Sequence, residues 1–220
     1  TKIPDYLFED EVDMLLDSFD LTDDFGYRDR TIFEVMYGCG LRYGEAINLL
    51  WDSQNIDFEN NRINIINRPG SPDIPPFQIK DYEHRSIPMP NWVVDILAQL
   101  QAEADTHSPF VFMTVKRWGI VKKKWHSLKG EGREEQWDSE MLMNNVLRDF
   151  KTHCRQAGIK TTDKLTIHCL RKSYACNLAN SNIPVQTLMK FMGHGSIQTT
   201  MEYYLKSSDA NEQAAVEKLE

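Results

Sequence analysis

The chain has 220 residues, enough for one domain with a full core, and its 41% hydrophobic and 26% charged residues suit a globular protein rather than a disordered one. No run is long and apolar enough to cross a bilayer, and the amino-terminal TKIPDYLFEDEV lacks the basic-then-apolar build of a signal peptide. A net charge of -8 speaks against a nucleic-acid partner when taken alone, but Lys116, Arg117, Lys122, Lys123, Lys124, Lys129 and Arg133 crowd one central segment, so a locally basic face is open to it.

In chain order, Val12, Leu15, Leu16 and Phe19 fall at helical spacing, and a second helix runs from Tyr27 to Tyr37 before Gly38 and Gly40 break the pattern. A short helix carrying Ala46, Leu49 and Leu50 follows GLRYGE. NIDFENNRINII reads as two strands joined by a turn at Glu59 to Asn61, and the Pro- and Gly-rich segment after it offers two short strands about Asp81 to His84. Pro90 opens a helix through Leu100, and FVFMTV (residues 110–115) reads as a strand. Lys116 to Trp137 has few periodic signals and is expected to be an extended or mobile insertion. Helices are predicted from Met141 to Ala157, stopped by Gly158; from Thr166 to Ala179; from Pro184 to the cap at Gly193; and after Ser196. The expected fold class is mostly α with a small antiparallel β-sheet (α+β), in a single domain with a core over 1–205 and a tail over 206–220.

Cys39, Cys154, Cys169 and Cys176 lack paired spacing and are expected to be reduced thiols in a cytoplasmic protein. A zinc site is the sharper alternative, since His153-Cys154 and His168-Cys169 are adjacent pairs. No CxxC or HxxxH spacing accompanies them, and no metal is expected.

Arg42 in GCGLRYGE, His168 and Arg171 in HCLRKSY, and His194 in GHG stand beside glycines or on short helices. His168 and Arg171, three apart, share a helical face. Two arginines and two histidines brought to one point would bind phosphate, because the guanidinium fork matches phosphate oxygens. Each residue alone reads sooner as a surface ion-pair partner or a locally satisfied histidine. On the last helix Ile197, Met201, Tyr204 and Leu205 form one apolar stripe, which assigns Tyr204 to the core and leaves Tyr203 off the stripe. From this helix alone, Tyr203 reads as an ordinary half-exposed tyrosine.

The order of these pieces changes that weighting. GLRYGE, then HCLR, then GH, then a tyrosine nine residues beyond the second histidine together resemble the tyrosine recombinase family, the phage integrase type of DNA strand-exchange enzyme. The family's Arg-His-x-x-Arg-His-Tyr set falls on Arg42, His168, Arg171, His194 and Tyr203, and KDYEHRSIP supplies its lysine pattern with Lys80, Arg85 and Pro88. Lys172 after HCLR and the long 116–137 segment depart from the usual pattern without touching these positions.

The resemblance implies that Tyr203 attacks a DNA phosphodiester to give a 3'-phosphotyrosine, which a 5'-hydroxyl then resolves, with no cofactor and no metal. It implies that Arg42, Arg171 and His194 hold the non-bridging oxygens, that Lys80 is the general acid, and that His168 assists proton transfer. Glu45 is expected to orient an active-site cation. Arg85 is expected to contact DNA, and Lys116, Arg117, Lys122, Lys123 and Lys124 read equally as DNA contacts and as a solvated loop. The implied partner is a double-stranded DNA recombination site, bound as a homotetramer in the synapse, with a monomer expected for the isolated domain, no membrane association, and a bacterial or phage source. The family's amino-terminal DNA-clamp domain is expected to be absent from this chain, and the tail after Leu205 either to dock as a short helix on a neighbouring protomer or to be a frayed terminus. A type IB topoisomerase-like activity and a catalytically silent DNA-binding relative are the competing readings.

Overall fold

A computed structural model describes residues 5–80, 84–103, 108–163 and 165–205, excluding the side chains of residues 24, 25, 140, 141 and 144. The chain divides into two compact units, one from its two ends, up to Leu41 and from Asp149, and one from Arg42–Arg148.

In the first unit, α1 (Glu9–Asp17) begins where Glu11 accepts the Phe8 backbone N–H at 3.0 Å, and three acids fill its first turn, where the helix dipole favours them. Asp23 caps α2 (Asp24–Cys39) by accepting from the Gly26 N–H. Gly40 closes α2 with φ +62°, its N–H on the Met36 carbonyl, and a Cβ there would lie 2.3 Å from the Tyr174 ring. The boundary after Arg148 falls inside α6 (Asn144–Gln156), whose Phe150 packs edge-on to Phe33 of α2. The central element is α7 (His168–Asn180), buried along most of its length and packed on α1, α2 and α8 (Val185–Met192). Pro184 precedes α8 and Gly193, at φ +61°, ends it. A last helix, α9, covers 197–205 among the described residues, with the Ser196 hydroxyl accepting the Gln198 N–H as a cap.

The second unit opens with α3 (Tyr43–Ile47), fastened by the Tyr43 hydroxyl donating to the Met143 carbonyl. Strands β1 (Ile56–Asp57), β2 (Arg62–Ile65) and β3 (Arg85–Pro88) form an antiparallel sheet in the order β1-β2-β3, with Ile63 opposite Ile56 and Ile87. Period-2 alternation buries Ile63, Ile65 and Ile87 on one face and turns Arg62, Asn64 and Ser86 to the other. The predicted turn holds Asn61 at φ +51°. Of the two strands expected about Asp81 to His84, β3 supplies the later one. Residues 81–83 lie outside the described residues, and ahead of them the described residues hold an isolated bridge between Arg68 and Phe77 in place of the other. Helix α4 (Asn91–Glu103) follows.

Two expectations fail in this unit. FVFMTV is not a strand: only Phe110 bridges, to Leu50, and the run then turns and buries Val111, Phe112 and Met113 before Thr114 caps a helix. An apolar run without alternation signals burial, not conformation. Nor is Lys116 to Trp137 an extended insertion. Helix α5 (Val115–Gly130) occupies most of it, burying Trp118, Val121 and Trp125 at i, i+3 and i+7. That stripe is narrow and lies among lysines, which is why it reads as unpatterned, but two tryptophans bury enough surface to hold the helix. Trp125 also donates to the Ser71 carbonyl at 2.9 Å and meets Trp137 edge-on.

No helix among the described residues is long and apolar enough to cross a membrane. The four cysteines are buried and form no disulfide, and burial pushes the Cys39 and Cys154 thiols up to about 12. Among the described residues no three His, Cys, Asp or Glu side chains are grouped to hold a metal ion.

Candidate active site

The sequence-predicted residues fall into two sets, one on each unit. In the second unit Arg42 is the residue before α3, so its backbone N–H is one of the donors a helix start leaves without an intrahelical acceptor. Glu45 Oε2 accepts that N–H at 2.8 Å, while Glu45 Oε1 accepts from Arg42 Nη1 at 3.1 Å. Arg85 meets the same carboxylate in bidentate fashion, Nη1 on Oε1 at 2.8 Å and Nη2 on Oε2 at 2.6 Å. Glu45 is thus held in a trio with two guanidiniums. Arg42 is the member that reaches solvent, its side chain 20% exposed against 3% for Glu45 and for Arg85.

Lys80 is exposed in a turn at the edge of residues 81–83. The hairpin that carries it is tied at its base: Ile79 is buried and donates its N–H to Asn67 Oδ1 at 2.7 Å, and the Asn67 N–H is accepted by His84 Nε2 at 3.2 Å.

In the first unit Arg171 is buried on α7 and spans two helix ends. Its Nη1 donates to the Gly40 carbonyl at 2.5 Å and its Nη2 to the Met192 carbonyl. Helix C-termini present carbonyls and partial negative charge, so both bonds hold the guanidinium with its charge intact. His168 stands exposed on the first turn of the same helix. His194 follows the left-handed Gly193, is buried, and has Nδ1 3.0 Å from Thr200 Oγ1, so the hydroxyl of α9 fixes the imidazole plane. The Tyr203 ring stacks on it, with centroids 5.8 Å apart and planes 13° from parallel.

Helix α9 docks by a different face from the one its apolar stripe predicts. Ile197 and Met201 are each 41% exposed and Leu205 63%, whereas Thr200 is fully buried and Tyr203 and Tyr204 are both half-buried against the cluster of Tyr174, Ala175, Ala179, Leu188 and Met192. Polar bonds set the phase: Thr200 reaches His194 and the Tyr204 hydroxyl donates to the Ile183 carbonyl. Tyr204 therefore packs, as expected, and burial raises its phenol above the ordinary value. The expectation that Tyr203 stands apart from packing is corrected, because it too lies against this cluster and is aligned by His194.

The basic residues expected to meet DNA all lie in the second unit and divide into those engaged within the protein and those exposed. Arg85 is engaged inside the protein, Arg117 Nε donates to the Leu142 carbonyl at 2.8 Å, and Lys122 pairs with Asp73 at 3.0 Å. Lys116, Lys123 and Lys124 are exposed on α5, sharing a face with exposed Ile120. One residue escapes a reading of the motifs and another, Arg85, is read there as a DNA contact but is turned onto Glu45 instead. Thr200 is legible only as a polar residue three before Tyr203, and Arg85 as the arginine of the lysine pattern, with nothing in the sequence to show that it turns inward.

A phosphate-sized anion suits such donors, since guanidinium forks, an imidazole and a phenol are what phosphoryl transfer through a tyrosine requires. The phage integrase family model matches residues 5–211, and the chain belongs to that family. The tyrosine recombinase XerD of Staphylococcus epidermidis is 28% identical over 202 residues, covering 92% of this chain and 58% of the relative. XerD of Staphylococcus haemolyticus is 29% identical with the same coverage of both chains. This chain thus spans 58% of the length of these curated relatives.

Among solved structures, XerH recombinase bound to a palindromic difH substrate in a post-cleavage complex superposes with a TM-score of 0.65 at 18% identity, covering 100% of this chain and 54% of that one. The catalytic domain of bacteriophage HP1 integrase matches with a TM-score of 0.57 at 17% identity, covering 96% of this chain and 93% of that one. The fold, mostly helical with a three-stranded antiparallel sheet, is that of tyrosine recombinase catalytic domains.

Proposed function

We propose that this chain is the catalytic part of a site-specific DNA recombinase that cuts and rejoins strands through a 3'-phosphotyrosine. The observation that carries the reading is the alignment of the Tyr203 phenol on a buried, Thr200-anchored His194, in the unit whose Arg171 is held by two helix ends. In this mechanism the Tyr203 oxygen attacks the scissile phosphorus. The new O–P bond replaces the bond to the 5'-oxygen, which leaves as a hydroxyl. A 5'-hydroxyl from a second strand reverses the step, so one phosphodiester is exchanged for another and no cofactor is consumed. Arg42, Arg171 and His194 stabilise the charge that builds on the non-bridging oxygens, because preorganised donors cost no reorganisation when the charge appears. Lys80 protonates the leaving 5'-oxygen and His168 assists removal of the Tyr203 proton.

The partner is duplex DNA, bound at a recombination site and assembled as a homotetramer during exchange, in the cytoplasm of a bacterial host. Lys116, Lys123 and Lys124 supply sequence-independent phosphate contacts along α5. The test uses a library of nicked duplexes of random sequence. The protein should form an adduct that survives boiling in detergent, and two duplexes carrying the recovered sequence should exchange strands. Relaxation of supercoils without exchange would point to a topoisomerase-like activity, and DNA retention without an adduct would point to a silent binding protein.

A further inference from the structure

We infer that Arg68 is a positioning residue for strand cleavage: its side chain fastens the base of the turn that carries Lys80 to the far end of α3, and so sets where Lys80 stands relative to Arg42. The inference rests on the recombinase reading, in which Lys80 is the general acid, and deepens it. Lys80 is exposed in its turn, and a general acid so placed is only as well aimed as the backbone beneath it. Two adjacent residues hold that backbone from both sides. Before Lys80, Arg68 and Phe77 exchange backbone N–H to carbonyl bonds at 2.9 Å each, and Ile79 donates its N–H to Asn67 Oδ1 at 2.7 Å. After it, His84 Nε2 accepts the Asn67 N–H at 3.2 Å.

The Arg68 side chain carries this base onto α3. Its Nη1 donates to the Asn48 carbonyl at 2.9 Å and its Nη2 to Asn48 Oδ1 at 3.2 Å, so the planar fork grips the backbone and the side chain of one residue. Asn48 is buried, closes α3 and donates its own amide to the Gly44 carbonyl at 2.8 Å, while Arg42 stands just before the first residue of the same helix. Arg68 Nε reaches the Pro75 carbonyl at 3.3 Å, and the guanidinium carbon lies 6.0 Å from the Phe77 ring centre and 5.5 Å from that of Phe110. Burial pulls the Arg68 guanidinium down to about 10, so it stays charged at neutral pH and keeps all its donors. The two ends of α3 and the turn of Lys80 thus share one frame. Arg68 itself touches no reacting atom.

The test compares single-turnover adduct formation on two saturating nicked duplexes of the sequence recovered from the library, one with the ordinary 5'-oxygen at the scissile phosphate and one with sulfur in its place. Cleavage breaks the bond from phosphorus to that atom; a departing oxygen takes a proton from Lys80, and a departing thiolate needs none. Lys80→Ala should lose about 100-fold or more on the oxygen duplex, the scale of general-acid catalysis, and regain nearly all of it on the sulfur duplex. Arg68→Met should lose about 10- to 100-fold on the oxygen duplex, the scale on which a misplaced catalytic group costs rate, with the same rescue by sulfur and DNA affinity within about twofold of the unaltered protein. In a Lys80→Ala background it should change the rate by no more than about twofold, since Arg68 acts through the residue already removed. Arg68→Lys keeps the charge and loses the fork, so it should lose less and be rescued alike, and it covers the case in which the methionine variant fails to fold. Wild-type cleavage by either Arg68 variant, an equal loss on both duplexes, or an undiminished loss in the Lys80→Ala background would overturn the inference. Failure of sulfur to rescue Lys80→Ala would strike the acid role on which it rests, and absence of an adduct with the unaltered protein would strike the recombinase reading.

Discussion

Tyr203 lies stacked on His194, the rings 13° from parallel, while Nδ1 of that histidine is held 3.0 Å from Thr200 Oγ1. The proposed nucleophile, the ring stacked on it and the hydroxyl that fixes that ring thus come from one helix and the turn before it.

Thr200→Val keeps the volume of this anchor and removes its hydroxyl. It should destabilise the protein by about 1–3 kcal/mol, the cost of leaving a buried imidazole nitrogen without its partner. Urea unfolding measures this. Adduct formation at saturating DNA should slow as well, because the imidazole plane is no longer fixed.

Gly40→Ala should cost about 2 kcal/mol or more in the same unfolding experiment. The residue has φ +62°, and an added Cβ would lie 2.3 Å from the Tyr174 ring. Its carbonyl also receives Arg171 Nη1, so cleavage should fall in step with the displaced guanidinium.

Neutralising Lys116, Lys123 and Lys124 on α5 should weaken binding to all duplex sequences alike and flatten the dependence of log affinity on log salt by about 0.9 for each DNA phosphate that is no longer neutralised. Lys122→Gln should change stability by less than about 1 kcal/mol and DNA affinity little, because that ammonium pairs with Asp73 on the protein surface. Fluorescence anisotropy over a salt series separates the two.

Iodoacetamide at mildly alkaline pH should leave Cys39 and Cys154 unmodified in the folded protein and label them after unfolding, as followed by mass spectrometry. Burial raises both thiols to about 12, and deprotonation under those conditions would require exposing them.

Much of this structure is legible in the sequence where local chemistry fixes the backbone. Gly40, Gly158 and Gly193 each adopt positive φ at a helix end, Pro184 precedes α8, and the alternation around Ile63 and Ile65 gives the sheet its buried face. The residues proposed to meet the phosphate are legible as a spaced set. Side-chain direction is harder to read. The apolar stripe of α9 faces outward because hydrogen bonds from Thr200 and Tyr204 decide the helix phase, a tertiary choice that no local period records. Arg85 turns inward for a partner forty positions away, and α5 is held by two tryptophans among lysines that suggest a solvated loop. Long-range polar pairing and sparse aromatic burial are the physical terms that local patterns miss.

In the proposed reaction Tyr203, and not its neighbour, carries the DNA. Trapping the covalent adduct on a nicked duplex, digesting the protein and mapping the nucleotide-bearing peptide by mass spectrometry decides it. A nucleotide linked to Tyr203 is expected, with adduct lost in Tyr203→Phe and retained in Tyr204→Phe. A nucleotide on Tyr204, or an adduct that persists in Tyr203→Phe, would contradict it.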